Sequence, residues 1–309
     1  MPAGDTQTRK ERTNATSDTT GSLMRADRTS LTAEYVAMHR AAHQLLDVPA
    51  IFDDPFAVVV TDPRFARALL ADPEPERPRL APGRRAFLAA RSRYAEDRLA
   101  LAVEQGCEQY VVLGAGLDTF CLRNGDPALR VFEIDHPATQ AIKLARLREA
   151  GVGMPARTSF YAADFTHQSL REILHEAGVD HGRRIFVSWL GVAQYLPTET
   201  VRAALQDIGS FGSQVEIVFD YTLHYDLQSA AQRSVFDKWR SLADLEGEPF
   251  RSMFTPDEVM ALCASAGFSA VRTESLDELN ARYCAAGYNG LQIEGFNQLA
   301  YAAARIPSP

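Results

Sequence analysis

Short apolar runs alternate along the chain with stretches of helical periodicity. Tyr110-Val111-Val112-Leu113 is an apolar, β-branched run that stops at Gly114-Ala115-Gly116, where glycine lets the backbone turn sharply and a ligand approach it closely. Comparable runs follow at residues 131–135, 159–163, 184–190 and 214–221. Between them, residues 137–150 and 197–211 read as helices with proline in the first turn, a position that proline's fixed φ suits. Strands alternating with helices predict an α/β fold, a doubly wound and mostly parallel Rossmann-like sheet. After it, Thr255-Pro256-Asp257-Glu258 opens a helix that Gly267 ends, and two further strands are expected near residues 270–273 and 298–302.

The part preceding the first run is helical. From residue 30 to 46, Leu31, Tyr35, Met38, Ala42 and Leu45 recur at helical spacing. A short helical stretch follows Ile51-Phe52-Asp53-Asp54-Pro55-Phe56, and a proline-rich polar segment, residues 72–78, makes an exposed connector. A long helix is predicted over 84–105, with Phe87, Ala90, Tyr94 and Leu101 on one face. His39 and His43 are four apart on the first helix without a zinc-protease glutamate between them, so both read as surface or packing residues and no metal site is expected. Residues 1–28 have scarcely a large apolar side chain and read as a disordered tail. Residues 223–254, polar and aromatic, read as a lid inserted after the fifth strand. The division expected is one domain over 29–309, with a helical part at 29–108 and a Rossmann-like core at 109–309.

Composition narrows the partners. With 46% apolar residues among 309 the chain can bury a large core unaided. A net charge of −8 argues against nucleic acid or anionic lipid and for a small-molecule ligand. Four cysteines without C-x-x-C spacing, no apolar run near the length of a membrane span and no signal peptide point to the cytoplasm. A homodimer is compatible with this composition.

The chemistry concentrates around the glycine turn. Asp135 ends the second run about one strand–loop–helix unit later, where an acid can grip ribose hydroxyls. A dinucleotide site would want G-x-G-x-x-G, but the third glycine position is Thr119 and Asp118 sits in the turn. A carboxylate there repels pyrophosphate and favours a cationic ligand such as S-adenosylmethionine. Asp164-Phe165, ending the third run, suits an adenine ring, with capping of the next helix by Asp164 or Thr166 as the plainer alternative. Arg91, on the long helix leading into the glycine-turn strand, could bind a carboxylate through its guanidinium fork or could be an ordinary solvated arginine. Gln194, Tyr195 and Tyr221, near the ends of the fourth and fifth strands, are candidates for the acceptor side, and His224 and Tyr221 are the candidate proton acceptors.

Taken together, Asp54-Pro55-Phe56, Ala90-Arg91-Ser92-Arg93, the block Leu113-Gly114-Ala115-Gly116-Leu117-Asp118-Thr119, Glu133-Ile134-Asp135-His136-Pro137, Asp164-Phe165 and Tyr195-Leu196 resemble the leucine carboxyl methyltransferase-like class I methyltransferases. The resemblance spans residues 30–305, and the family's bacterial branch includes polyketide O-methyltransferases. It implies S-adenosylmethionine as methyl donor, with Arg91 on its carboxylate, Gly114 at its amino-acid part, Asp135 on the ribose and Asp164 with Phe165 on adenine; Gly116 and Asp118 are further cofactor-binding candidates. Several relatives carry a glutamate five residues before the tyrosine of the Tyr-Leu pair, where this chain has Leu190. The expected function is O-methylation of a carboxylate or hydroxyl of a small, polyketide-like metabolite. A nicotinamide-dependent oxidoreductase and a non-catalytic cofactor-binding protein are the alternatives.

Overall fold

The computed structural model describes residues 31–77, 80–165, 168–284 and 290–304. The tail expected at residues 1–28 lies outside them, as does Thr166. In chain order the elements are α1 (Leu31–Leu46), α2 (Ala57–Val60), α3 (Pro63–Ala71), α4 (Pro82–Glu104), β1 (Gln109–Leu113), α5 (Phe120–Arg123), β2 (Arg130–Asp135), α6 (Pro137–Glu149) and β3 (Thr158–Ala162). They continue with α7 (Leu170–Glu176), β4 (Ile185–Trp189), α8 (Thr198–Phe211), β5 (Val215–Thr222), α9 (Ala230–Glu246), α10 (Pro256–Ser265), β6 (Phe268–Glu274), α11 (Leu276–Tyr283) and β7 (Asn297–Ala304).

The seven strands form one sheet in the order β3-β2-β1-β4-β5-β7-β6. β1 through β5 are parallel, and β7 runs antiparallel between β5 and β6. Alternation of side chains along each strand divides the core into two layers. Val111, Leu113, Phe132, Ile134, Val187, Trp189, Ile217 and Phe219 face α7, α8 and α10. Tyr110, Val112, Val131, Phe186, Val218 and Leu299 face α4 and α11. Strand order reverses at β1, with β2 on one side and β4 on the other, and at such a switch point the chain leaves a crevice beyond the carboxyl ends of the strands.

Several boundaries differ from the periodicity reading. Leu101, assigned to the apolar face of α4, is 45% exposed. α11 is an unanticipated helix, fixed by a capping box between Ser275 and Glu278. Of the surface and packing roles considered for His39 and His43, packing holds, since both are fully buried. The His43 Nδ1–H donates to Asp47 at 2.8 Å and its Nε2 accepts from the Ile51 and Phe52 amides, so it holds the end of α1 against the following turn.

The segment after β5 is closed at its base: Leu223 bridges Phe254, the His224 amide donates to the Phe254 carbonyl, and the Phe254 amide donates to Thr222. Within it, Phe236 packs edge-on against Phe250 and Phe296, anchoring α9 to the body. Trp239 on α9 meets Tyr35 of α1 with ring centroids 4.2 Å apart.

Candidate active site

The cleft lies where the topology requires it, past the carboxyl ends of β1 to β4, and encloses about 220 Å³ of free volume. Its lining includes Gly114 to Asp118 from the turn after β1, Asp135 and His136 after β2, and Ala163, Asp164 and Phe165 after β3. Beyond β4 come Leu190 to Val192 and Gln194 to Leu196, with Tyr35 and Arg40 from α1, and Arg84 and Arg91 from α4. Trp239, Glu248, Phe250 and Phe296 complete the wall on the α9 side.

The turn after β1 takes its shape from two glycines at positive φ, Gly114 at 63° and Gly116 at 53°. A Cβ on Gly114 would stand 2.4 Å from Val192 Cγ2, so a side chain there would collide with the loop after β4 as well as strain the backbone. Asp135 is locked to this turn: its Oδ2 accepts from the Gly116 amide, and its Oδ1 accepts from the His136 amide at 2.6 Å. An ionised carboxylate offers about four lone-pair directions. Two are used by backbone amides, and the others remain for ligand hydroxyls. Burial pushes the Asp135 carboxyl up to about 6, against the pull of the two amides. Glu133, two residues earlier, is committed elsewhere: it is buried against Lys143 in an ion pair outside the cleft lining.

Asp118 Oδ1 accepts from the Phe120 amide at 2.7 Å, which occupies the first free amide of α5. Its other oxygen is 3.9 Å from Arg40 Nη1. A buried network lies beneath the turn. Asp54 accepts from Arg40 and, at 2.7 Å, from the Thr119 hydroxyl, while Arg40 also reaches Thr119 Oγ1 at 2.8 Å and the Leu117 carbonyl at 3.3 Å. Arg123, which ion-pairs with Glu96, stands 3.5 Å from Asp54. Burial alone would raise the Asp54 carboxyl, but the Arg40 and Arg123 charges and the Thr119 hydroxyl hold it below the usual range. Asp54 and Thr119 thus support the turn from below, a role the sequence signals only through the Asp-Pro-Phe triplet and the departure from glycine at 119.

Arg91 is 4% exposed, which removes the solvated-surface reading. Its Nη1 donates to Asp220 Oδ2 at 2.9 Å, and Asp220 Oδ1 accepts from the Gly191 amide. Gly191, at φ 75°, leaves the room the guanidinium occupies, since a Cβ there would lie 3.1 Å from both terminal nitrogens. Asp220 is one of the residues sequence reasoning missed.

Tyr221, the neighbour nominated instead, does not reach the cleft. β5 continues through Thr222, so the alternation of the strand sends Asp220 toward α4 and Tyr221 into the opposite core layer, where its hydroxyl donates to Gln298 at 2.7 Å. His224 is also displaced. Its side chain is 41% exposed, beside Asp226, and it accepts from the Asp226 amide at the start of a short 3₁₀ turn away from the cleft. Neither carries the proton-accepting role considered for it. Asp164 and Phe165 both line the cleft, and α7 is capped by Ser169 in a capping box with Glu172, so the plainer capping role for Asp164 falls away. Gln194 is 2% exposed and Tyr195 packs against Phe250 with centroids 5.3 Å apart, both at the cleft wall.

A seven-stranded sheet of this order with a ligand crevice at its switch point defines the class I methyltransferase fold, and a crystal structure of a protein from Thermobifida fusca YX bearing the name of a methyltransferase has the same overall fold. The two share 15% identity and a TM-score of 0.55, covering 92% of this chain and 97% of that one. The leucine carboxyl methyltransferase family model matches residues 33–209, and the chain belongs to that family. YktD of Bacillus subtilis, which bears the name of an S-adenosyl-L-methionine-dependent methyltransferase, is 32% identical over 286 residues, covering 83% of this chain and 92% of that protein. A Mycobacterium avium protein with the same description is 30% identical, covering 82% and 87%. The chain is an S-adenosylmethionine-dependent methyltransferase.

Proposed function

We propose that this enzyme methylates an oxygen, carboxylate or hydroxyl, of a small polyketide-like organic molecule in the cytoplasm. The observation that carries the reading is the convergence of Arg91, the Gly114–Gly116 turn, Asp135 and Asp164-Phe165 on one crevice whose far end is walled by Tyr35, Trp239, Tyr195, Phe250 and Phe296. The first group fits S-adenosylmethionine. The Arg91 fork suits its carboxylate, the unused oxygen directions of Asp135 suit vicinal ribose hydroxyls, and Asp164 with Phe165 suits an exocyclic amine over a ring. The cofactor supplies an electrophilic methyl group on a positively charged sulfur. The protein's share of the chemistry is to align an acceptor oxygen with that methyl and to exclude water, and the aromatic wall serves both. A net charge of −8 supports a small-molecule acceptor over a polyanionic one. A dinucleotide is disfavoured because Asp118 already occupies the first amide of α5, a helix of 4 residues, where a pyrophosphate would bind.

Incubation with methyl-labelled S-adenosylmethionine and hydroxylated or carboxylated aromatic acceptors tests the reading. Label is expected in base-stable ethers or base-labile esters. Label confined to nitrogen or carbon acceptors would refute O-methylation.

A further inference from the structure

The acceptor end of the cleft holds an arginine that no carboxylate meets in an ion pair among the described residues. Of the three arginines lining the cleft, Arg40 pairs with Asp54 and Arg91 with Asp220. Arg84 forms no ion pair among the described residues. Its Nη1 donates to Asn297 Oδ1 at 2.9 Å, it hydrogen-bonds Tyr35, and its guanidinium lies 5.2 Å from the centroid of Phe296. Its Nε is buried with no partner. A cation confined among aromatic rings and neutral dipoles is costly until an anion completes it.

Other residues lining the cleft also carry buried atoms without a hydrogen-bond partner, Arg40 Nε, Arg91 Nε and Thr139 Oγ1 among them, and two of these atoms are acceptor-only oxygens: Gln194 Oε1 and Glu248 Oε2. The segment bearing Glu248 is held against Gln194, because the Arg251 and Ser252 amides donate to the Gln194 carbonyl at 2.8 and 3.3 Å. A ligand that satisfies Arg84, Gln194 and Glu248 must present an anion to Arg84, a hydroxyl to the two oxygens, and a flat apolar body to Tyr35, Trp239 and Phe250.

Resting on the O-methyltransferase reading, we propose that the methyl acceptor is a hydroxylated aromatic carboxylate, anchored by its carboxylate on Arg84 and methylated at a hydroxyl directed at Gln194 and Glu248. An oxygen whose charge is held by a buried guanidinium is a poor nucleophile, so Arg84 anchors and Glu248 activates. The hydroxyl oxygen takes the methyl as the carbon–sulfur bond breaks, the electron pair stays on sulfur, and the hydroxyl proton passes to the Glu248 carboxylate. The product is an aryl ether that keeps its free acid.

The test titrates a panel of hydroxynaphthoates and hydroxycinnamates, and their matched carboxamides, into the protein saturated with S-adenosylhomocysteine. The best acid is expected to bind at least tenfold more tightly than its amide. Arg84→Met should abolish that preference while leaving S-adenosylhomocysteine affinity unchanged. With S-adenosylmethionine, the same acid should yield a base-stable methoxy acid, and Glu248→Gln should lower kcat at least tenfold with KM little moved. Equal binding of acid and amide by the wild-type protein, no binding of any acid at millimolar concentration, or a methyl ester as sole product would overturn the proposal. Failure of S-adenosylhomocysteine itself to bind would instead strike at the reading on which it rests.

Discussion

Asp135 and Glu133 illustrate how two like residues on one strand face take different work from their surroundings. Asp135 ends β2, meets two backbone amides and keeps oxygen directions free, whereas Glu133 lies deeper and is consumed by Lys143. Glu133→Ala leaves the Lys143 charge buried alone. It is expected to lower the unfolding free energy by about 3–5 kcal/mol in denaturant titration while S-adenosylmethionine affinity in the folded protein holds. Asp135 carries the pH dependence. Burial pushes its carboxyl up to about 6, so above that value it is ionised and has oxygen directions open to the ribose hydroxyls proposed for it, while below it one oxygen is protonated. Cofactor affinity should therefore fall as pH is lowered through 6, by up to about tenfold per unit. An equally steep fall in Asp135→Asn would assign the effect to another group.

At the scale of elements, the cleft is shaped by residues that do not line it. Asp220 on β5 aims Arg91 from α4 while holding the Gly191 amide, so Asp220→Ala should weaken S-adenosylmethionine binding by about 1–3 kcal/mol, the range for a charged hydrogen bond, with no loss of a ligand contact. Asp54→Ala strands Arg40 beneath the glycine turn and is expected to cost about 3–5 kcal/mol of stability, read as an earlier denaturation midpoint. Much of this architecture was legible in the chain. Five apolar runs became five parallel strands, because buried strands need continuous apolar sequence and glycine and proline punctuate them. The glycine turn, Asp118, Asp135, Asp164, Phe165, Gln194 and Tyr195 all line the cleft, because residues at strand ends are pinned by topology. Tyr221 was misplaced because it was judged by its nearness to the strand end, whereas the alternation of side chains along β5 sends it to the face opposite Asp220. Arg84 and Glu248 were invisible for another reason: their meaning lies in partners they lack, which only the packed structure reveals. α11 was within reach, since Ser275 and Glu278 have the spacing of a capping box.

The whole molecule is a switch-point crevice with helices added on two sides. α1 and α4 bring Tyr35, Arg40, Arg84 and Arg91 over the strand ends, and the segment carrying α9 brings Trp239, Glu248 and Phe250 from the other side. The Tyr35–Trp239 contact joins these two additions across the cleft. Trp239→Ala should accordingly weaken acceptor binding more than cofactor binding, seen as a raised KM for the acceptor with S-adenosylmethionine affinity nearly constant. The central claim is that one crevice holds S-adenosylmethionine through Asp135 and Arg91. Calorimetric titration of S-adenosylhomocysteine into the wild-type, Asp135→Ala and Glu133→Ala proteins tests it most directly. Micromolar binding that weakens in Asp135→Ala and persists in folded Glu133→Ala is the predicted result; no binding by the wild type, or affinity indifferent to Asp135, would contradict it.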